Sequence, residues 1–134
     1  MIVADSSAWV ELLRETGSRP HRTLKRLLAE DAPIAVTEAV VLELLAGARS
    51  SPERRRLRSI LLAFPVLPLD DLAGYEAAAD LYSTCRRAGE TIRRLLDCLV
   101  AVPAIEAGAS VLHADRDFEV IARHSPLRIE ALDT

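Results

Sequence analysis

The stretch that decides the fold is MIVADSSAWVELLRETG, residues 1–17. Its apolar run from Ile2 to Asp5 is too short for a helix and is typical of a buried strand. Ser6 or Ser7 is then expected to cap a helix that continues to Glu15, because serine hydroxyls satisfy the free backbone amides at a helix start. The chain therefore opens with a strand that passes directly into a helix, with an aspartate at the junction.

Short apolar runs and longer periodic segments alternate along the rest of the chain. This alternation favours an α/β fold whose mainly parallel sheet is covered by helices on both faces. Beyond the first strand, we predict strands at Ile34–Val36, Val66–Leu69 and Ser110–His113, giving four strands, or five if Leu127–Ile129 adds an edge strand. Further helices are predicted at Pro20–Glu30, Thr37–Gly47, Ser51–Ala63, Asp71–Gly89, 95–108 and Arg116–His124. In the helix from Asp71, the residues expected to face inward include Leu72, Ala73, Ala77, Leu81 and Tyr82.

The composition is that of an ordinary globular protein. With 134 residues, 50% of them hydrophobic and 28% charged, the chain is expected to form one domain, 1–134, without disulfides or a structural metal. Cys85 and Cys98 are isolated, which favours a reducing compartment. No basic leader precedes the first apolar run, and no uncharged stretch approaches the roughly 18 residues of a membrane span, so we expect a cytoplasmic protein with no membrane contact.

Four acids lie within or at the end of apolar runs: Asp5, Glu43, Asp97 and Asp115. An ionised carboxylate is costly in such surroundings unless a cation or several donors meet it. If the fold gathers the four acids, their mutual repulsion requires a metal ion. Oxygen ligands without cysteine or histidine suit Mg²⁺ or Mn²⁺.

Each acid also has a structural interpretation. Asp5 and Asp115 follow predicted strands, where ligands bind in parallel sheets, but an aspartate there also caps the next helix. Glu43 and Asp97 are predicted in mid-helix among Leu and Val, where a structural acid would need a buried arginine. Asp117, two residues after Asp115, is placed either to face the same ion or to point to solvent.

The cations of the chain are almost all arginine. Sixteen arginines accompany a single lysine, and the formal net charge is only −3. Arginine forks bind phosphate in a bidentate manner, so a local basic rim around an acidic pocket could bind RNA. Each arginine cluster, at 54–58 and at 86–94, is equally compatible with a solvated helix face.

The sequence lacks the patterns of several other kinds of site. The three histidines are scattered without zinc-site spacing, no glycine-rich loop follows a strand, and no serine has the flanking glycines of a nucleophile elbow. A response-regulator receiver also holds Mg²⁺ in an acidic pocket, but it requires a lysine late in the chain, and the only lysine is Lys25.

Four segments in order give the chain a family resemblance. VADSSAW (3–9), TEAVVLELLAG (37–47), GETIRRLLDCLVA (89–101) and LHADRDF (112–118) together resemble the PIN-domain ribonucleases, and specifically the VapC toxins of type II toxin–antitoxin systems. The resemblance covers almost the whole chain. It implies a PIN-like α/β/α sandwich that cuts RNA with Mg²⁺ or Mn²⁺, although a noncatalytic PIN-like module that binds RNA or protein remains the alternative.

The resemblance also implies a set of site residues. Asp5, Glu43, Asp97 and Asp115 match the catalytic, metal-binding quartet, and Asp117 matches a second aspartate that often joins the metal site. Under this hypothesis Asp5, Glu43 and Asp97 hold the first ion. Asp115 and Asp117 complete its shell or help to bind a second ion.

Supporting residues and partners follow in the same way. Ser7 matches a small hydroxyl residue that supports the metal shell, and Thr91 and Arg93 match residues that orient the RNA phosphate or an acid. Arg49 and Arg94 are weaker candidates for phosphate contact. A VapC-like toxin implies a cognate VapB-like antitoxin and a homodimer, for which the helix from 71 and the helix that carries Glu43 are candidate surfaces.

One residue departs from the family pattern. Pro103 falls inside the helix that follows Asp97, where it removes a backbone donor and is expected to kink the helix. Since it lies downstream of the acid, we expect altered packing without loss of the site.

Overall fold

The computed structural model describes residues 1–134, which form one parallel sheet between helices. The five strands are β1 (Ile2–Ala4), β2 (Ile34–Thr37), β3 (Val66–Leu67), β4 (Ser110–Leu112) and β5 (Arg128–Ile129). Their order in the sheet is β3-β2-β1-β4-β5, and every neighbouring pair is parallel. The α/β prediction is confirmed, and the edge strand near Leu127–Ile129 is present.

Seven helices follow the predicted alternation with the strands. They are α1 (Ser6–Leu13), α2 (Arg19–Ala29), α3 (Glu38–Ala46), α4 (Ser51–Leu61), α5 (Asp71–Arg87), α6 (Leu96–Ala107) and α7 (Asp117–Arg123). None of them is long and apolar enough to cross a membrane.

Side-chain caps explain where several helices begin. Thr37 caps α3 as predicted, because its side chain accepts a hydrogen bond from the amide of Val40. Of the caps that the sequence offered for α1, the structure uses Asp5, whose side chain accepts the amide of Ser7, and the prediction of a Ser6 or Ser7 cap was wrong. An aspartate at the strand end already satisfies that amide, so the helix starts one residue later than the acid.

The two central strands explain why helices cover both faces. All three residues of β1 are buried, as are all four of β2, so neither face of the sheet centre can be left to water. Trp9 of α1 is buried against this layer and meets Phe64 with ring centroids 5.6 Å apart.

The inward face of α5 differs from the prediction. Leu72 and Ala73 were expected to point inward, but both are exposed, and Leu72 is 70% accessible. The buried residues of α5 begin instead at Gly74, where an added Cβ would lie 2.5 Å from the Leu69 side chain. That close approach turns the preceding Leu72 to solvent.

Pro103 lies inside α6 without ending it. The helix continues from Leu96 to Ala107, and Pro103 is buried within it. Asp97 lies six residues before Pro103, in the first turn of the helix, and the expected kink stays a prediction.

The parallel arrangement collects the predicted acids. Because all strands run the same way, the carboxyl ends of β1, β2 and β4 lie at one edge of the sheet. Asp5 follows β1, α3 follows β2, and Asp115 follows β4. Helix α6 brings its first turn to the same edge.

Candidate metal centre

Asp5 combines the two roles that the sequence left open. Its Oδ2 accepts the amide of Ser7 at 3.0 Å and the hydroxyl of Ser7 at 2.6 Å, so it caps α1. Its Oδ1 is buried and has no hydrogen-bond partner. Burial raises the pKa of Asp5 despite the bonds from Ser7. The cap thus orients a carboxylate whose second oxygen is left for another ligand.

Ser7 links the ends of two strands. Its hydroxyl donates to Asp5 and accepts the backbone amide of Ala114 at 2.9 Å. The residue that follows β1 is therefore connected to the loop that follows β4. This position suits the supporting role that we predicted for Ser7.

Asp97, Asp115 and Asp117 form the tightest acidic group. One carboxylate oxygen from each lies within 4.8 Å of the other two. Asp97 is in the first turn of α6, which corrects the mid-helix prediction. The residue is buried and neither of its oxygens has a hydrogen-bond partner. Burial, followed by the charges of Asp5 and Asp115, raises the pKa of Asp97 to about 9.

Asp117 is buried beside Asp97, but its pKa is shifted in the opposite direction. Burial alone would raise the pKa of Asp117. The backbone amides of Arg94 and Arg93, which donate to its Oδ2 at 2.9 and 3.1 Å, outweigh that effect and hold its pKa below the ordinary value. The amide of Asp117 in turn donates to Asp115 Oδ1 at 3.0 Å. Asp117 therefore remains ionised and faces the other two acids.

Glu43 lies beside this group with both oxygens engaged. The hydroxyl of Ser6 donates to Oε1 at 2.9 Å, and the guanidinium of Arg94 pairs with Oε2. The structure thus brings Glu43 near the other acids, because the same guanidinium lies 3.8 Å from Asp115 Oδ2. Its assignment to the first ion stays a prediction, because Asp115 and Asp117 are the closest neighbours of Asp97.

The predicted supporting residues differ in their placement. Arg93 is 60% exposed, with Nη2 3.7 Å from Asp115 Oδ1 and Nε 3.6 Å from Asp117 Oδ1. It is a loose partner of two acids with its charge open to solvent. Thr91 is exposed, and no side-chain hydrogen bond joins it to the acids.

Arg94 is the residue whose importance the sequence understated. It was considered only as a weak phosphate contact, yet it lies between Glu43 and Asp115. The adjacent arginine pair at 93–94 signalled a cationic rim. Nothing in the sequence indicated which guanidinium turns inward, because that depends on the position of α3.

A cleft of about 410 Å³ lies beside the acidic group, and Glu43 is the predicted site acid that lines it. Ser6, Ser7, Glu43, Arg94 and Ala114 are among its lining residues. The buried oxygens without partners, both of Asp97 and Oδ1 of Asp5, make the centre deficient in positive charge or donors. A divalent cation with a preference for oxygen ligands fits this donor set.

Comparison with known proteins agrees with the geometry. The PIN domain family model matches residues 2–124. Ribonuclease VapC11 of Mycobacterium tuberculosis is 44% identical over 129 residues, covering 96% of each chain.

Two solved structures share the fold. VapBC2 from Rickettsia felis, bound to a promoter DNA fragment, has a TM-score of 0.71 at 19% identity, covering 97% of this chain and 98% of the other. VapC20 of M. tuberculosis, a toxin that cleaves the sarcin–ricin loop, has a TM-score of 0.66 at 21% identity, covering 96% and 99%. The chain belongs to the PIN-domain family and, within it, to the VapC ribonucleases.

Proposed function

We propose that this chain is a divalent-metal-dependent endoribonuclease that acts as the toxin of a type II toxin–antitoxin system. The observation that carries the proposal is the carboxylate of Asp97, which is buried beside Asp115 and Asp117 with no donor to either oxygen. A structural acid so deep in a fold would have a cationic or amide partner. An acid kept without one is suited to hold a cation.

Asp5, Asp97, Asp115 and Asp117, with Glu43 at the rim, are the residues that would hold Mg²⁺ or Mn²⁺. Bound there, the ion supplies Lewis acidity toward phosphate oxygens and lowers the pKa of a bound water. The oxygen-only donor set favours these two ions over zinc or copper. We propose that either Mg²⁺ or Mn²⁺ serves at this site.

The chain's own residues orient the reactants. Ser7 fixes the carboxylate of Asp5, and the amides of Arg93 and Arg94 fix that of Asp117. The exposed guanidinium of Arg93 is placed to bind an RNA phosphate at the cleft mouth, with Thr91 two residues before it in the chain. Water then attacks phosphorus and the P–O3′ bond breaks, which leaves a 5′-phosphate and a 3′-hydroxyl.

The partners follow from the relatives. Solved structures of the same fold include VapBC complexes, some with DNA, so we propose a VapB-like antitoxin that blocks the acidic cleft. We also propose a homodimer through α3 and α5. Its support is the apolar surface formed by Leu42, 61% exposed, and Tyr75, 57% exposed, which flank one small cleft.

Induction in cells tests the function. Expression of the chain without antitoxin should arrest growth and create new RNA ends that carry 5′-phosphate, whereas the Asp97→Asn variant should do neither. Purified protein should cleave RNA with added Mg²⁺ or Mn²⁺ and lose that activity in chelator. A folded chain that binds RNA but never cleaves it under these conditions would favour the noncatalytic module.

A further inference from the structure

Arg94 is tied to the acidic centre by both its backbone and its side chain. Its amide donates to Asp117 Oδ2 at 2.9 Å, which fixes where the side chain begins. Its Nη2 then pairs with Glu43 Oε2, and its Nη1 lies 3.8 Å from Asp115 Oδ2. The guanidinium therefore bridges α3 and the loop after β4, across the mouth of the cleft.

This bridge occupies the carboxylate of Glu43. Oε1 is taken by the hydroxyl of Ser6 and Oε2 by Arg94. A guanidinium on Oε2 takes up one lone pair and places a positive charge beside the carboxylate, so it repels a cation that binds there and competes with it. Glu43 thus differs from Asp97, whose two oxygens are free.

The side chain of Arg94 is also free to leave. It is 49% exposed and lines the cleft wall next to solvent. Half-exposed ion pairs are weak, so an alternative partner can displace this one at little cost. The guanidinium fork binds phosphate with the geometry that it uses for carboxylate.

We infer that Arg94 is a positioning residue that acts as a built-in counter-cation: it competes with the divalent cation for Glu43 and, once displaced, binds the RNA phosphate at the cleft mouth. This inference rests on the proposed metal-dependent function. Arg94 thus has two roles: its charge offsets that of the acids when no metal is bound, and it contacts the substrate when metal is bound.

The inference makes metal affinity and cleavage move in opposite directions. In Arg94→Gln, Glu43 loses its competing partner, so Mn²⁺ should bind roughly two- to fivefold more tightly, the range expected from a half-exposed ion pair. Cleavage should fall by about tenfold or more, because a charged phosphate contact is lost. A purely structural arginine would lower both.

Calorimetric titration of Mn²⁺ alone into the purified protein measures the first quantity, with circular dichroism melts to confirm that each variant is folded. Arg116→Gln is the matched control, because Arg116 lies between Asp115 and Asp117 in sequence, is exposed and makes no ion pair. It removes the same charge near the same acids. The gain in Mn²⁺ affinity should therefore be larger in Arg94→Gln than in Arg116→Gln.

A double variant locates the effect. In a Glu43→Gln background, the further change Arg94→Gln should no longer raise Mn²⁺ affinity. Affinity that is unchanged or weakened in Arg94→Gln, no better than in the control, or still raised without Glu43 would overturn the inference. A parent protein that neither binds Mn²⁺ nor cleaves RNA with it would instead overturn the proposed function itself.

Discussion

Glu90 and Asp97 lie at opposite ends of the connector between α5 and α6, residues 88–95, with Asp97 in the first turn of α6. The two acids differ in their hydrogen-bond partners and in the direction of their pKa shifts. Glu90 accepts Arg123 Nη2 at 2.5 Å and lies 2.6 Å from Nε2 of His124. Both partners lower the pKa of Glu90, to about 2, and the hydrogen bond from Arg123 has the larger effect. Asp97 has no partner, and burial raises its pKa to about 9. A satisfied acid ties elements together, whereas an unsatisfied one marks the place where a ligand belongs.

Glu90 and Asp117 together hold the connector in place. Glu90 holds the start of the connector to the end of α7, while the amides of Arg93 and Arg94 hold its other end to Asp117 at the start of α7. The connector is thus fixed at both ends of one short helix. Its arginines are presented to the cleft from this rigid support.

The largest effect is expected from Asp97→Asn. Cleavage should be abolished, because the variant loses the central acid of the proposed metal site. The metal-free variant should be equally stable or more stable by about 1–3 kcal/mol, since asparagine is neutral without the protonation that the buried acid requires. RNA cleavage and urea unfolding in chelator measure the two quantities. Clear destabilisation of the metal-free variant would mean that Asp97 belongs to a structural ion pair.

The next effect is the pH dependence of the stability of the metal-free protein, to which Asp97 and Glu90 contribute with opposite signs. The folded-state pKa of Asp97 is raised from 3.8 to about 9, so the metal-free protein should lose stability as pH rises through that window. The pKa of Glu90 is lowered from 4.5 to about 2, so its contribution is present above 4.5 and is lost as pH falls toward 2.

Unfolding at a series of pH values separates the two acids. Asp97→Asn should reduce the loss of stability as pH rises from 3.8 to about 9 and leave the loss on acidification below 4.5 as it is. Glu90→Gln should do the reverse. Identical pH profiles in the parent and both variants would contradict the contrast between them.

A smaller effect is expected when Glu90 is replaced at neutral pH. Glu90→Gln removes the charge that holds Arg123 and His124, so the melting temperature should fall, and cleavage should fall less than in Asp97→Asn. Glu106→Gln is the control, because Glu106 is an exposed acid on α6 without an ion pair. Equal melting temperatures for the two variants would show that the Glu90 pairs contribute nothing to the support of the connector.

The smallest change in stability is expected from Arg93→Ala. Its guanidinium is mostly exposed and lies more than 3.5 Å from the carboxylates of Asp115 and Asp117. The free energy of unfolding should therefore change by no more than about 0.5 kcal/mol. RNA cleavage should fall by about tenfold, through loss of a phosphate contact. A variant that unfolds readily, while its folded fraction cleaves normally, would identify Arg93 as a structural partner of Asp115 and Asp117.

What the sequence predicted depended on local pattern. β1 and the other strands followed from short apolar runs, and the alternation with helices predicted a parallel sheet. The acids were visible because Asp5, Glu43 and Asp97 interrupt apolar runs that would otherwise be uniform. The direction of the strands then implied that the acids after β1 and β4 share one edge.

What it missed depended on contacts between distant segments. The inward turn of Arg94 depends on Glu43, and the pairing of Glu90 with Arg123 depends on how α7 packs against the connector. Only the first turn of α5 was mispredicted, since Leu81 is buried as expected. Gly74 packs closely on Leu69, a contact that no periodicity within the helix reveals. The mid-helix placement of Asp97 was also wrong, although the predicted helix at 95–108 begins within one residue of α6.

The central claim is that the unsatisfied acids around Asp97 form a divalent-metal site. Thermal and urea unfolding of the parent and of Asp97→Asn, each with chelator and with Mg²⁺ or Mn²⁺, test it most directly. The parent should gain about 2.7 kcal/mol when metal exceeds its dissociation constant a hundredfold, and the variant should gain clearly less. A parent protein whose stability does not respond to either metal would contradict the account.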